Sequence, residues 1–400
     1  MWGLSPTGKE QNMGLLKGYI GAIEPVAGKL RYKLNPACTK YIEPFIGGGG
    51  LLSCISAGRY EREIINDKNI ALANMYDLLA NPDTCEEARN VLESIEKPDN
   101  EEEARKQYKE AIQFTGKYIE KCTCISDHIE FNEIGGLEKR MKLLKAAYIK
   151  YTQSFNCGGQ SYRKFGDNVK YQWGVKRNVD ETIRRLHGVE VMSTVSGNVI
   201  EDYINDAQAQ LVLDPPFVGL YRRSQKLYDV EMSGLHQHIS LAKYIAQAKA
   251  SILLLGYRAP DGLPTIYDAI LSRQYNWRCY LVDQRSGPEV CKKGEKKYKN
   301  SLYVWTNTTP QTRDAWFASQ IDYKDELNEV DFWNLIAEHI LQGDIKNMAL
   351  LDYMDAFDSL KKKDKELLSG TLMETKVMRE AEFCYKRYAL KRKREERCTS

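Results

Sequence analysis

Short apolar runs separated by stretches of helical spacing set the frame of this chain. Tyr41-Ile42, Glu63-Ile64-Ile65, Leu211-Val212-Leu213 and Ile252 to Leu255 are each only a few residues long. Runs this short and this apolar read as strands buried on both faces, the condition of a mostly parallel sheet. After the second run, Leu72, Met75, Tyr76 and Leu79 recur at helical spacing. Alternation of the two patterns predicts an α/β fold. Arg278 to Val282 and Ser301 to Trp305 read as two further strands, joined by a basic, glycine-containing connection. That pair predicts an antiparallel hairpin at the edge of the sheet.

The texture changes after Asn81-Pro82. Charged helical sequence from Glu86 to Lys150 gives way to a polar and aromatic segment, Phe155 to Trp173, rich in Gly, Asn and Gln. The sheet pattern resumes near Arg185. This predicts a domain at 1–80, a mostly helical insertion at 81–185, a return to the sheet at 186–310, and a C-terminal helical extension at 311–400. In that extension Trp316, Phe317, Phe332, Trp333 and Leu335 offer core positions.

Composition narrows the class. With 42% hydrophobic and 28% charged residues among 400, the chain has an ordinary globular balance and enough length for two or three compact units. No apolar stretch approaches the roughly 20 residues of a membrane span, and the N-terminus lacks the apolar core of a secretory signal. Ten cysteines scattered along a long chain point to reduced thiols and a cytoplasmic protein. Cys122, Cys124 and His128 lie close together, but no second ligand pair follows at zinc-like spacing, so no metal is expected. The net charge of +3 diagnoses nothing by itself. Its distribution says more: Arg222, Arg223 and Lys226 form one cluster, Lys292 to Lys299 a second, and Lys386 to Arg397 a basic tail. Such clusters favour a nucleic-acid partner when a site for a base accompanies them.

Asp214-Pro215-Pro216-Phe217 supplies such a site. A buried strand that runs into two prolines must stop, because proline donates no ladder hydrogen bond and has a fixed φ. The turn then holds one carboxylate and leaves the Asp214 and Pro215 carbonyls as acceptors, with Phe217 as a flat neighbour. Acceptors beside an aromatic plate suit a planar group that bears an amine. A second constellation is Glu43-Pro44-Phe45-Ile46 followed by four glycines, Gly47 to Gly50. Glycines let a strand-to-helix turn approach a ligand closely. Gly47 and Gly49 match the start of a dinucleotide pattern, but Leu52 takes the third glycine's place. Asp67 ends the next strand, where a ribose hydroxyl sits in doubly wound folds; its other use would be to cap the helix entered at Ile70.

Together, Glu43-Pro44-Phe45 with its glycines, Asn66-Asp67, Phe155-Asn156 ahead of Tyr162-Arg163, and Asp214-Pro215-Pro216-Phe217 resemble the Dam-type DNA adenine methyltransferases, over roughly residues 5 to 307. The resemblance implies a Rossmann-like methyltransferase sheet whose two halves, 1–80 and 186–310, bind cofactor and carry out catalysis, with target recognition in the insertion. It implies S-adenosylmethionine as cofactor, double-stranded DNA as partner, and the exocyclic N6 of a flipped-out adenine as acceptor. A cognate restriction endonuclease is a further partner it allows. Carried over, Ser5, Lys9, Glu43, Pro44, Phe45, Gly47, Gly49, Asp67, Asn198 and Asp214 would surround the cofactor. Asp214, Pro215, Pro216 and Phe217 would be catalytic. Gln153, Asn156, Gln160, Arg163, Lys164, Arg222 and Arg223 would contact DNA. Ser5 stands where the family usually has Trp or Tyr, and Asn198 where an Asp often stands. Three other readings stay open: transfer to another amine (cytosine N4 or an RNA base), a nucleotide-dependent oxidoreductase, and a catalytically silent DNA-binding relative.

Overall fold

The computed structural model describes residues 16, 19, 23–122, 129–154, 158–163, 175–218, 227–257, 265–286 and 299–308. Helix α1 (Glu24–Leu30) leads to strand β1 (Lys40–Glu43), the short α2 (Gly50–Ser53), β2 (Arg62–Asn66) and α3 (Ile70–Ala80). The helices α4 (Cys85–Glu93), α5 (Glu101–Ile119), α6 (Phe131–Ile134), α7 (Leu137–Thr152) and α8 (Val175–Leu186) follow before the chain re-enters the sheet at β3 (Val189–Met192). Then come α9 (Ser196–Tyr203), β4 (Ala209–Leu213), α10 (Leu235–Ile245) and β5 (Ser251–Tyr257). A π-helical segment (Asp268–Gln274) precedes β6 (Arg278–Ser286) and β7 (Lys299–Thr306).

The strands lie in the order β3-β2-β1-β4-β5-β7-β6. The first five in that order are parallel, and β7 runs antiparallel to both β5 and β6. The expected edge hairpin is therefore present, with β7 on the inner side and β6 at the rim. Successive residues of the buried strands face opposite cores, as the period of two requires. Tyr41, Ile65, Val212, Leu253 and Leu255 pack on one face. Ile42, Ile64, Leu211, Leu213, Ile252 and Leu254 pack on the other, with α9 and α10. Because both faces are covered, these strands carry almost uninterrupted apolar sequence.

Ala88 and Leu92 of α4, Ala111 of α5, and Met141, Leu144 and Tyr151 of α7 belong to the same core as the first face of the sheet. Helix α7 packs on α3, α4 and α5, and α8 packs on α3 and α4. Helix starts follow local chemistry. Asn100 caps α5 by accepting from the Glu103 amide at 2.9 Å, and Asn69 caps α3 by accepting from the Ala71 amide at 3.1 Å. The cap of α3 is thus Asn69 rather than Asp67. Residues 311–400, Cys124 and His128 lie outside the described residues.

Candidate active site

From β1 the chain passes on one side to β2 and β3, while β4 and β5 lie on the other. The strand order reverses between β1 and β4, and in open α/β sheets ligands bind outside the carboxyl ends of strands at such a reversal. Glu43, Asn66-Asp67 and Asp214 stand at the carboxyl ends of β1, β2 and β4. One edge of the sheet therefore gathers residues that are far apart in sequence.

The turn after β1 is held from three sides. Gly47 and Gly49 take φ of +49° and +71°, the left-handed region that a side chain disfavours. The Gly47 amide donates to Asp67 Oδ2 at 3.1 Å, and its carbonyl accepts from the Tyr76 hydroxyl at 2.9 Å. The Ile46 amide donates to the Asn66 carbonyl at 2.9 Å. Asn66 also stitches the turns together: Nδ2 donates to the Pro44 carbonyl at 2.9 Å, and Oδ1 accepts from the Thr194 amide at 2.9 Å. Ser196 Oγ donates to the same Pro44 carbonyl at 3.1 Å. Phe45 is partly buried against the second core.

The carboxylates differ in character. Asp67 is partly exposed, and its Oδ1 accepts from the Asn69 amide at 2.8 Å. Burial pushes its pKa up to about 6; the amides of Asn69 and Gly47 oppose that rise and the charge of Asp229 adds to it. Asp67 is thus an anion at neutral pH. Each carboxylate oxygen has two acceptor directions, so two backbone amides leave capacity for two more donors. Glu43 is 1% exposed and its Oε2 accepts from the Tyr41 hydroxyl at 2.7 Å. Burial pushes it up to about 8, against the Tyr41 bond and with help from the Asp214 charge. Glu43 is therefore mainly neutral at pH 7, next to an Asp214 that is partly exposed.

Pro215 is buried and Pro216 half-buried. Phe217 is 6% exposed, its ring centroid 4.3 Å from that of Tyr257 and the rings inclined by 60°. Asn198 is exposed in the first turn of α9 and donates from Nδ2 to Thr194 Oγ1 at 3.3 Å. Of the residues expected to contact DNA, Gln153 is buried, with Nε2 donating to Gln107 Oε1 at 3.2 Å. The Arg163 amide donates to the Gln153 carbonyl at 2.8 Å, and Ser154 bridges Tyr162 in antiparallel fashion. Gln160 is exposed and reaches Asp229. Ser5, Lys9, Asn156, Lys164, Arg222 and Arg223 lie outside the described residues.

Tyr19, Ser196 and Asp229 are not singled out by the sequence, and Asn66 enters there only as the neighbour of Asp67. Tyr19 lies edge-on to Tyr151, centroids 5.6 Å apart, and a Cβ at position 47 would lie 3.5 Å from its Cε1. Among the described residues there is no cluster of three or more side chains able to hold a metal ion.

The winding of the sheet, with these motifs set along its carboxyl edge, defines a Rossmann-like methyltransferase. A model of the D12 class N6 adenine-specific DNA methyltransferases matches residues 19–257, more than half of the chain, and the chain belongs to that family. It is accordingly a DNA adenine methyltransferase, and DNA is its substrate. Comparison with curated proteins finds no match. No helix among the described residues is long and apolar enough to cross a membrane.

Proposed function

We propose that the chain moves a methyl group from S-adenosylmethionine to the N6 of a single adenine flipped out of double-stranded DNA. The observation that carries this reading is the placement of Asp67 and Asp214 on either side of β1, at the carboxyl ends of β2 and β4. The residues present fit the cofactor. Asp67 is an anion with acceptor capacity to spare for a ribose diol, and the glycine turn beside it brings backbone close to a ligand without intervening side chains. Glu43, Pro44, Phe45 and Asn198 complete the proposed pocket, with Ser5 and Lys9 assigned to it from the family resemblance. The cofactor supplies a methyl group on a positively charged sulfur.

The chain supplies alignment. Adenine's amine is a poor nucleophile because its lone pair is delocalised into the ring. Asp214 and the Pro215 carbonyl would accept its two hydrogens, favour a pyramidal nitrogen and aim the lone pair. Neutral Glu43 behind them keeps a second negative charge out of the same small volume. The base must leave the duplex to arrive there. It would come to rest beside Phe217, which is 6% exposed and packed on Tyr257, so its arrival requires a face of that ring to be uncovered. Target recognition is assigned to residues 150–175, with Arg222 and Arg223 on phosphates. Such an activity would protect DNA against a nuclease that cuts the same unmethylated site.

Mass spectrometry of duplex DNA incubated with the protein and S-adenosylmethionine should find methyl on the N6 of adenine. Methyl on cytosine N4 would overturn the acceptor, and no methylated base would favour the silent relative.

Cofactor affinity should depend on pH through Asp67. The anion accepts hydroxyl hydrogens and the protonated form does so less well. Calorimetric affinity should be flat above about pH 7, and as pH drops below about 6 it should weaken by up to about tenfold per unit. Asp67→Asn should bind about tenfold or more weakly at pH 7 and lose this pH dependence. A wild-type profile flat from pH 5 to pH 8 would remove Asp67 from the pocket.

A further inference from the structure

Asp229 is a buried hub outside every motif discussed above. Its side chain is 7% exposed and its partner Lys150 is 5% exposed, with Nζ 2.7 Å from Asp229 Oδ2. The Tyr151 hydroxyl donates to the same oxygen at 2.8 Å, and itself accepts from Asn69 Nδ2 at 2.7 Å. The other oxygen, Oδ1, accepts from Nε2 of the exposed Gln160 at 2.8 Å. The chain comes close enough for this only because residue 159 is glycine. Its φ is +73°, and a Cβ there would lie 2.8 Å from Lys150 Cε and 2.9 Å from Tyr151 Cε1.

A carboxylate only accepts, so it fixes which end of the Gln160 amide faces inward: the nitrogen is committed and the carbonyl cannot take its place. One N–H is engaged, and the carbonyl oxygen and the second N–H are left. That pair is the set a glutamine uses on the N6 and N7 edge of adenine in the major groove. A surface glutamine normally loses rotamer freedom when it binds; this one is already held by a carboxylate that is itself held by two consecutive residues of α7, Lys150 and Tyr151.

We propose that Gln160 is a specificity-determining residue that reads an adenine edge in the DNA target, with Asp229 as the positioning residue that orients its amide. The inference rests on the DNA-methylating reading given above. Gln160→Ala and Gln160→Met alter an exposed side chain, bring no second carboxylate to Asp229 Oδ1, and leave the Lys150–Asp229 pair in place. The full-length chain is given tritiated S-adenosylmethionine and a panel of duplexes that carry every single-base change around the preferred site. Both variants should bind cofactor like the wild type and methylate the preferred duplex more slowly. Their discrimination at one base pair should fall about 10- to 100-fold. Asp229→Asn should relax the same position, and Asp229→Asn with Gln160→Ala should relax it no further than either change alone. Should Asp229→Asn fail to fold, the two Gln160 variants decide the matter. A uniform loss across all duplexes, or an unchanged preference in both Gln160 variants, overturns the proposal. A wild type that labels no duplex at all refutes the methylation reading itself, a different and earlier failure.

Discussion

Asp214→Ala is expected to fold, to bind S-adenosylmethionine, and to methylate DNA slower than the wild type by about three orders of magnitude or more. Removing one preorganised partner of a developing charge typically costs about 10²–10³ in rate, and misaligning the reacting nitrogen adds to that. The fold should survive because Asp214 lies just past β4, whose five residues are all buried and which pairs with β1 on one side and β5 on the other. Asp214→Asn separates charge from acceptor: it keeps the volume and one carbonyl acceptor but loses the negative charge, so it should be slowed less than Asp214→Ala. Single-turnover transfer of a tritiated methyl group measures the step directly. Activity within tenfold of wild type in Asp214→Ala would mean that the carboxylate takes no part in orienting the amine.

The largest effect on stability should come from Arg185. Its guanidinium donates to both oxygens of Glu63, at 2.7 and 2.9 Å, and to the Leu52 carbonyl at 2.9 Å. The side chains are 4% and 7% exposed. Arg185→Met leaves the Glu63 carboxylate buried without its counter-charge, a change that costs about 3–5 kcal/mol. Replacing both partners, Arg185→Met with Glu63→Leu, removes the stranded charge and should recover most of that loss. Urea unfolding curves for the two variants make the comparison; equal midpoints for the single and double variant would exclude a stranded carboxylate as the cause. Because Leu52 sits in α2, directly after the glycine turn, the single variant should also weaken cofactor binding.

Among the parallel strands, those legible in the sequence are buried on both faces; the rim strand β6 was legible through its longer run, Arg278 to Val282. Leu211 to Leu213 and Ile252 to Leu255 lie within β4 and β5, where only apolar side chains fit. Strand β3 escaped notice because it is the edge strand: Val189-Glu190-Val191-Met192 is half solvent-facing, and Glu190 there pairs with Arg62. The spacing of Leu72, Met75, Tyr76 and Leu79 located α3 because that helix is buried nearly all round. Glycines and prolines betrayed the turns after β1 and β4, since their backbone limits are properties of the residue itself. Asp229, Tyr151 and Asn69 gave no such sign. Their chemistry comes from contacts between distant segments, and each residue type is common enough to be unremarked in a linear reading. The burial of Phe217 against Tyr257 was hidden for the same reason.

The neighbouring of β1 and β4 has a consequence for how the molecule comes into being. Ile42 sits opposite Leu211, so the two strands that flank the strand-order reversal are brought together only after everything between them has been synthesised. Such non-local pairings form late, because the chain must first lose the freedom of a long loop. On the ribosome, β1, β2 and the helices through α8 emerge ahead of β4 and can begin to pack without it. Asp214 reaches its place only when β4 docks. A chain arrested or cleaved before that moment would carry Asp67 and the glycine turn of the proposed cofactor pocket but lack Asp214 of the proposed catalytic turn, and on that reading it should not modify DNA.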